Sequence, residues 1–446
     1  MGIIKKIVIA LLMVFVVSLS AQTQNDSLLI KGKMYIQHTV KPTETYKIIS
    51  KKYNVSINDL KSSNKNVKLY FNQQLLVPVK STFSERILFK SRQLESTSII
   101  GVKKQSDTLN IALLFPFYTT KNDSLLSFLA KSQQLKEDVY KKSYMALSFL
   151  EGVIIAIDSL SKTGMKINLF VYDTENDTSK VQQIIAEEKL KNIDLIIGPA
   201  YQKNLLIVAK EYGKNSDKTI VSPLSKNSNV LKYGSNIYQI IPPEKVQIKN
   251  ISDYISEKYK DERILILAQK KNEKHAKEYK KVFRKNKRRV KIRLFDGFTD
   301  ITKDTICTFL SNNKYIVLIP STDRSFVSKI IPVLGTIDTN MTVFGLYNWG
   351  SFENLDIETL MKLNVHFPNP YFFDYENKLN KRFVMLFKDK FSELPDKYAQ
   401  LAFAECLYFC TNKGDYKFKK YYQRGGKLNY NLPLVKYSDY SIKKVD

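Results

Sequence analysis

From Thr108 onward, short β-type apolar runs alternate with amphipathic helical stretches. That rhythm restricts most of the chain to an α/β fold with a largely parallel sheet. Strand candidates are Asn110–Phe115, Lys166–Tyr172, Asp194–Ile197 and Thr219–Val221, followed by Arg263–Ala268, Lys291–Phe295, Tyr315–Ile319 and Thr342–Leu346. Between them, Phe149, Val153, Ala156 and Leu160 share one face of a helix over Lys142–Leu160. Ser179–Leu190 opens after Asp177-Thr178, an N-cap signal, and Glu244–Lys258 follows a break at Ile241-Pro242-Pro243. Two such series joined at a break predict two α/β lobes. Lobe 1 takes residues 108–243 and 377–412, the latter with helices at Asn377–Phe391 and Asp396–Cys410, and lobe 2 takes residues 244–376. Residues 413–446, rich in Lys and Tyr, read as a tail with no assigned element.

The N-terminal end addresses the compartment. Lys5 and Lys6 precede an apolar run from Ile7 to Val17, and Ser18-Leu19-Ser20-Ala21 supplies small residues for cleavage. Residues 1–21 therefore predict a signal peptide and an exported, peptidoglycan-associated protein of the periplasm. No later stretch reads as the roughly 20 apolar residues of a membrane span, and export removes nucleic acid from the expected partners. The formal charge of +28 predicts attraction to polyanions, although an AT-rich genome would also over-supply Lys. Three cysteines, Cys307, Cys406 and Cys410, make no disulfide scaffold. His38, His275 and His366 lie in separate segments, and no zinc-protease, nucleophile-elbow or phosphate-loop motif occurs. The chain is therefore expected to be non-enzymatic, with neither cofactor nor metal. A wall hydrolase with a dispersed carboxylate pair is the least favoured alternative.

A compact segment spans residues 35–80, ahead of a linker over 81–107. His38 to Val40 reads as a strand, Pro42-Thr43-Glu44-Thr45 as a capped turn, and Ile48, Ile49 and Tyr53 as the buried face of a helix. Asn54 ends that helix, Ser56 caps a second with Ile57 and Leu60 as core contacts, and Leu75 to Pro78 closes as a strand. This strand–helix–helix–strand order, with Val55-Ser56, Asp59-Leu60 and Asn64, resembles the LysM family. The resemblance implies binding to N-acetylglucosamine-containing glycans, chiefly peptidoglycan. The groove would lie between the loops Lys41 to Tyr46 and Asn64 to Tyr70. Its candidate residues are Pro42, Thr43, Glu44, Thr45, Tyr46, Asn64, Leu69 and Tyr70. Tyr46 and Leu69 would pack on sugar faces while backbone groups hold the acetamido groups.

The remainder resembles the type 1 periplasmic-binding-protein superfamily, the leucine-binding-like group. The motifs are Ile111-Ala112-Leu113-Leu114-Phe115-Pro116-Phe117, the helix from Phe149-Leu150-Glu151-Gly152, Tyr172-Asp173-Thr174, Ile196-Ile197-Gly198-Pro199 and Val221-Ser222-Pro223-Leu224-Ser225. The expected whole is a small βααβ LysM module plus a bilobed α/β domain. Ligands of open α/β lobes sit beyond the carboxyl ends of the strands, which makes Phe117, Asp173, Thr174, Tyr201, Ser222, Ser225 and Trp349 the inter-lobe cleft candidates. Ala200-Tyr201-Gln202 lacks the small hydroxyl residue that helps hold a ligand carboxylate in this family. The same fold serves outer-membrane activators of peptidoglycan synthases as a protein-contact domain. A small-molecule receptor and a regulator acting by protein contact, docked through Lys270 to Lys291, therefore both remain open.

Overall fold

The computed structural model describes residues 27–30, 33–41, 44–64, 69–70, 73–78, 108–124, 139–311 and 313–445. The signal segment 1–21, the linker 81–107, and Pro42 and Thr43 of the first groove loop lie outside the described residues. The chain divides into two compact units, Met1–Thr82 and Phe83–Asp446.

In the first unit, β1 (Ser27–Ile30), β2 (Lys33–Thr39) and β3 (Gln74–Pro78) form an antiparallel sheet in that order. Helices α1 (Tyr46–Tyr53) and α2 (Ile57–Ser63) connect β2 to β3. The Thr45 hydroxyl caps α1 at Ile48 N, and the Ser56 hydroxyl caps α2 at Asp59 N. Asn54 ends α1 in the left-handed region, φ 52°, where Asn is among the tolerated residues. Val40, Ile49, Leu60, Leu75 and Val77 make the core. Two expected core contacts are corrected: Ile48 and Ile57 are exposed. Ile49 and Tyr53, four residues apart, own the inward stripe of α1, and Ile48 is rotated off it. Ile57 stands at the open first turn of α2, and only Leu60 reaches the core.

The second unit holds two lobes, each with seven strands among the described residues. Lobe 1 uses β4 (Thr108–Phe115), β5 (Lys166–Asp173), β6 (Leu195–Ile197), β7 (Thr219–Ser222), β8 (Ile237–Gln239), β14 (Phe418–Lys420) and β15 (Lys427–Asn429). They run in the order β14-β15-β8-β7-β6-β4-β5. Lobe 2 uses β9 (Arg263–Gln269), β10 (Val290–Phe295), β11 (Tyr315–Leu318), β12 (Met341–Phe344), β13 (His366–Pro368), β16 (Leu434–Ser438) and β17 (Ser441–Lys444), ordered β10-β9-β11-β12-β13-β16-β17. Residues 413–446 are thus no appendage: they extend one edge of each sheet. The chain passes between lobes at 240–243, 369–377 and 430–433.

Each sheet is covered on both faces, so its central strands are apolar without interruption. In β4, Ile111, Leu113 and Phe115 face α3 (Tyr144–Ser161), α11 (Lys378–Phe391) and α12 (Lys397–Thr411). Ala112 and Leu114 face the opposite layer, α4 (Thr178–Ala186) and α5 (Gln202–Tyr212). Helix α3 is apolar enough to cross a membrane, but it is mostly buried as the central helix of this lobe. In lobe 2, α6 (Glu244–Lys258) and α7 (Glu273–Lys285) cover one face. Helices α8 (Lys303–Cys307), α9 (Arg324–Gly335) and α10 (Ile357–Lys362) cover the other.

Candidate functional site

In the LysM-like unit, His38 is buried between β2 and α1, hydrogen bonded through Nδ1 to the Tyr53 hydroxyl at 3.0 Å and through Nε2 to Glu44 at 2.7 Å. The Glu44 carboxylate also accepts the Lys41 N–H at 2.9 Å and lies 3.8 Å from Lys52. Burial would push the Glu44 carboxyl up, but the Lys41 N–H, His38 and Lys52 together hold it below the usual carboxylate range. Glu44 thus braces the first groove loop. Asn64 does the same for the second: its amide donates to Leu60 O and Leu76 O at 2.7 Å each and accepts Leu76 N–H at 2.8 Å. Thr45 is spent on capping α1. Tyr46 and Leu69 are half-buried against the core, whereas Tyr70 is exposed. Of these candidates, Tyr46, Leu69 and Tyr70 therefore offer apolar surface, while the side chains of Glu44, Thr45 and Asn64 are taken up by hydrogen bonds within the unit.

In lobe 1, β4 is flanked by β5 on one side and β6 on the other, and in lobe 2 β9 is flanked by β10 and β11. In sheets of this kind such reversals mark the carboxyl-end positions where ligands bind. The loops there meet across the lobes: Lys226, after β7, donates to the Tyr347 hydroxyl after β12 and lies over its ring.

Several predicted cleft residues are corrected by their surroundings. Trp349 is fully buried in the lobe 2 core and donates its indole N–H to Ser321 O at 3.0 Å. Asp173 accepts backbone N–H groups from Phe117, Tyr118, Thr119 and Glu175 and the Thr119 hydroxyl. It staples the β4 and β5 loops, leaving little acceptor capacity for a ligand. Phe117 and Thr174 are buried, and the Ser225 hydroxyl donates to Gln202 at 2.6 Å. Ser222 is buried with its hydroxyl unpartnered, beside Gln239 in the β7–β8 register, whose Oε1 is also unpartnered. Tyr201 is exposed.

Tyr201 belongs to a group of tyrosines that sequence reading missed. Tyr140 packs edge-on against Tyr118 at 5.3 Å. Tyr201 lies within electrostatic range of Tyr118 and Tyr398, and Tyr371 within range of Tyr398 and of Tyr347 of lobe 2. Lys121 sits over Tyr118 and Tyr140, Lys397 over Tyr371 and Tyr398, and Lys226 over Tyr347. Burial, together with Tyr398, Tyr347 and Glu405, pushes the Tyr371 hydroxyl up to about 12. Glu405 is fully buried with both oxygens unpartnered, and burial holds its carboxyl protonated well above the usual range. No group of His, Cys, Asp or Glu able to hold a metal occurs among the described residues.

Two α/β lobes crossed three times by the chain, with strand-end loops meeting between them, define a type 1 periplasmic-binding-protein fold. The βααβ unit ahead of it is a LysM domain, and residues 38–78 match the family model of that name. Among solved structures, the chain is similar to a protein described as a branched-chain amino acid ABC transporter from Rhodospirillum rubrum. The TM-score is 0.55 and the identity 10%, over 76% of this chain and 100% of that one. It is also similar to full-length LpoA from Haemophilus influenzae, with TM-score 0.50 and 14% identity, over 77% of this chain and 59% of that one. At these identities the likeness is one of fold. No curated protein matches the chain.

Proposed function

We propose that this is a non-enzymatic cell-envelope protein, held at peptidoglycan by its LysM domain, whose bilobed domain receives a ligand between its lobes. The observation that carries the reading is a set of lysine–tyrosine pairs, Lys121 over Tyr118 and Tyr140, Lys397 over Tyr371 and Tyr398, and Lys226 over Tyr347 of lobe 2. Tyrosine faces suit sugar rings or extended peptide, and ammonium groups suit carboxylates. An anionic glycopeptide is the ligand class with both, and wall attachment would place the cleft where such fragments arise. The Lys226–Tyr347 contact joins the two lobes, and a ligand held between them would compete for it.

A second reading takes the bilobed domain as a regulator acting by protein contact, the role for which LpoA is named as a regulator of PBP1A. Its support is that Asp173 and Ser225, polar groups at the strand ends, are already satisfied internally. Native mass spectra of the full chain, taken with and without added muropeptides, decide between the two. The receptor reading expects a bound muropeptide mass that Tyr347→Ala together with Lys226→Ala weakens by tenfold or so. An unliganded mass throughout would contradict it and favour protein contact.

A further inference from the structure

Thirteen basic residues against two acidic ones lie between Lys270 and Arg293, a net +11 out of +28 for the whole chain. A compositional excess of Lys would be spread along the sequence, and it would not place arginines. The chain has ten arginines, and four of them, Arg263, Arg284, Arg288 and Arg289, line one groove of about 700 Å³ with Lys280 and Lys291. The groove lies where β9, β10 and β11 begin, at Arg263, Val290 and Tyr315, the opposite pole of lobe 2 from the cleft.

No carboxylate lies within ion-pair distance of these six side chains among the described residues. Arg288 donates to the carbonyls of Tyr259 and Glu262, and Arg263 to Ser311 at 3.0 Å, which fixes two guanidinium groups in place. Lys280, Arg284 and Arg289 are exposed, and their side chains make no hydrogen bond among the described residues. Six cations gathered without counter-charges repel one another, and fixed guanidinium forks match phosphate oxygens. The exposed lysines 274 and 281 of α7 widen the cationic face beside the groove, whereas Lys277 is paired with Glu273 at 2.9 Å. No large hydrophobic side chain between Arg263 and Arg293 is exposed. Protein interfaces are built around apolar and aromatic anchors and are depleted in Lys, so this face fits a polyanionic surface better than a folded partner.

We infer that this groove binds the phosphate-bearing head groups of an anionic lipid surface, giving the protein a second attachment independent of the LysM domain and of any ligand in the cleft, on the face that the sequence offered for docking a protein partner. Co-sedimentation of the full chain with phosphatidylcholine vesicles, with and without phosphatidylglycerol, tests it. Binding is expected only with phosphatidylglycerol, and to fall as salt rises. Arg284→Gln with Arg289→Gln is expected to weaken it by about tenfold or more. Arg263→Gln with Lys280→Gln should act in the same direction, with melting temperatures confirming the fold of both. The charge-matched control Lys210→Gln with Lys214→Gln, exposed positions of lobe 1, should leave binding unchanged. Equal loss in the control would reduce the effect to net charge and overturn the assignment. So would absence of vesicle binding, or tighter, groove-dependent binding of polyglutamate than of vesicles, which would point to an acidic protein.

Discussion

His366 shows how a single buried ring ties the second lobe to pH. It lies on β13, stacked on Phe344 at 4.9 Å, with Nδ1 2.7 Å from Asn364 O and with Lys436 opposite it in the β13–β16 register. Burial first, and the Lys436 charge second, lower its pKa to about 4 against the opposing pull of the Asn364 carbonyl. The folded state therefore keeps the ring neutral, while the unfolded chain takes up a proton near pH 6.5. The associated stability is complete above pH 6.5 and is lost as pH falls toward 4, by on the order of 3 kcal/mol. Denaturant titrations should show a midpoint that declines over that window, and His366→Gln should flatten the decline. An unchanged slope in the variant would assign the acid sensitivity elsewhere. Asp173 teaches a different lesson at the same scale. A carboxylate at the end of a strand looks like a ligand group in the sequence, yet its partners are backbone N–H groups of a loop some 55 residues away, which no side-chain pattern records.

At the scale of elements, legibility followed burial. Strands covered on both faces, such as Ile264–Ala268 in β9, announce themselves as apolar runs. The strands β14 to β17 escaped notice because they sit at or near sheet edges, where Lys419, Lys420, Lys436 and Lys443 interrupt any run. The α3–α12 contact was also hidden. Gly152 in α3 reads as an ordinary small residue, but a Cβ there would stand 2.1 Å from the Ala399 carbonyl oxygen of α12. The two helix backbones touch at that point, which joins residues from the two distant segments of lobe 1. Gly152→Ala should therefore destabilise the bilobed domain by about 1–3 kcal/mol through overpacking, despite the higher helix propensity of Ala. Thermal unfolding measures this, and a neutral or stabilised variant would show that the helices can separate freely.

The whole molecule combines one short motif that identifies itself with a large fold that does not name its cargo. The LysM domain was legible because caps, turn and core contacts fall within about forty residues, matched over 38–78. The tyrosine group was not, because Tyr118, Tyr201 and Tyr347 come from loops and Tyr398 from the first turn of α12, spread over both lobes with no shared local spacing. Their chemistry emerges only once two sheets bring them together. Attachment to the wall is the part of the account on which the placement of the cleft depends. The decisive measurement is co-sedimentation of the full chain with purified peptidoglycan sacculi across a salt series, with N-acetylglucosamine oligomers as competitor. The account predicts binding that persists at high salt, is displaced by the oligomers, and weakens severalfold in Tyr46→Ala or Tyr70→Ala through loss of apolar contact. Binding that vanishes with salt and ignores the oligomers would contradict it, and would leave the +28 charge, not the LysM domain, as the anchor.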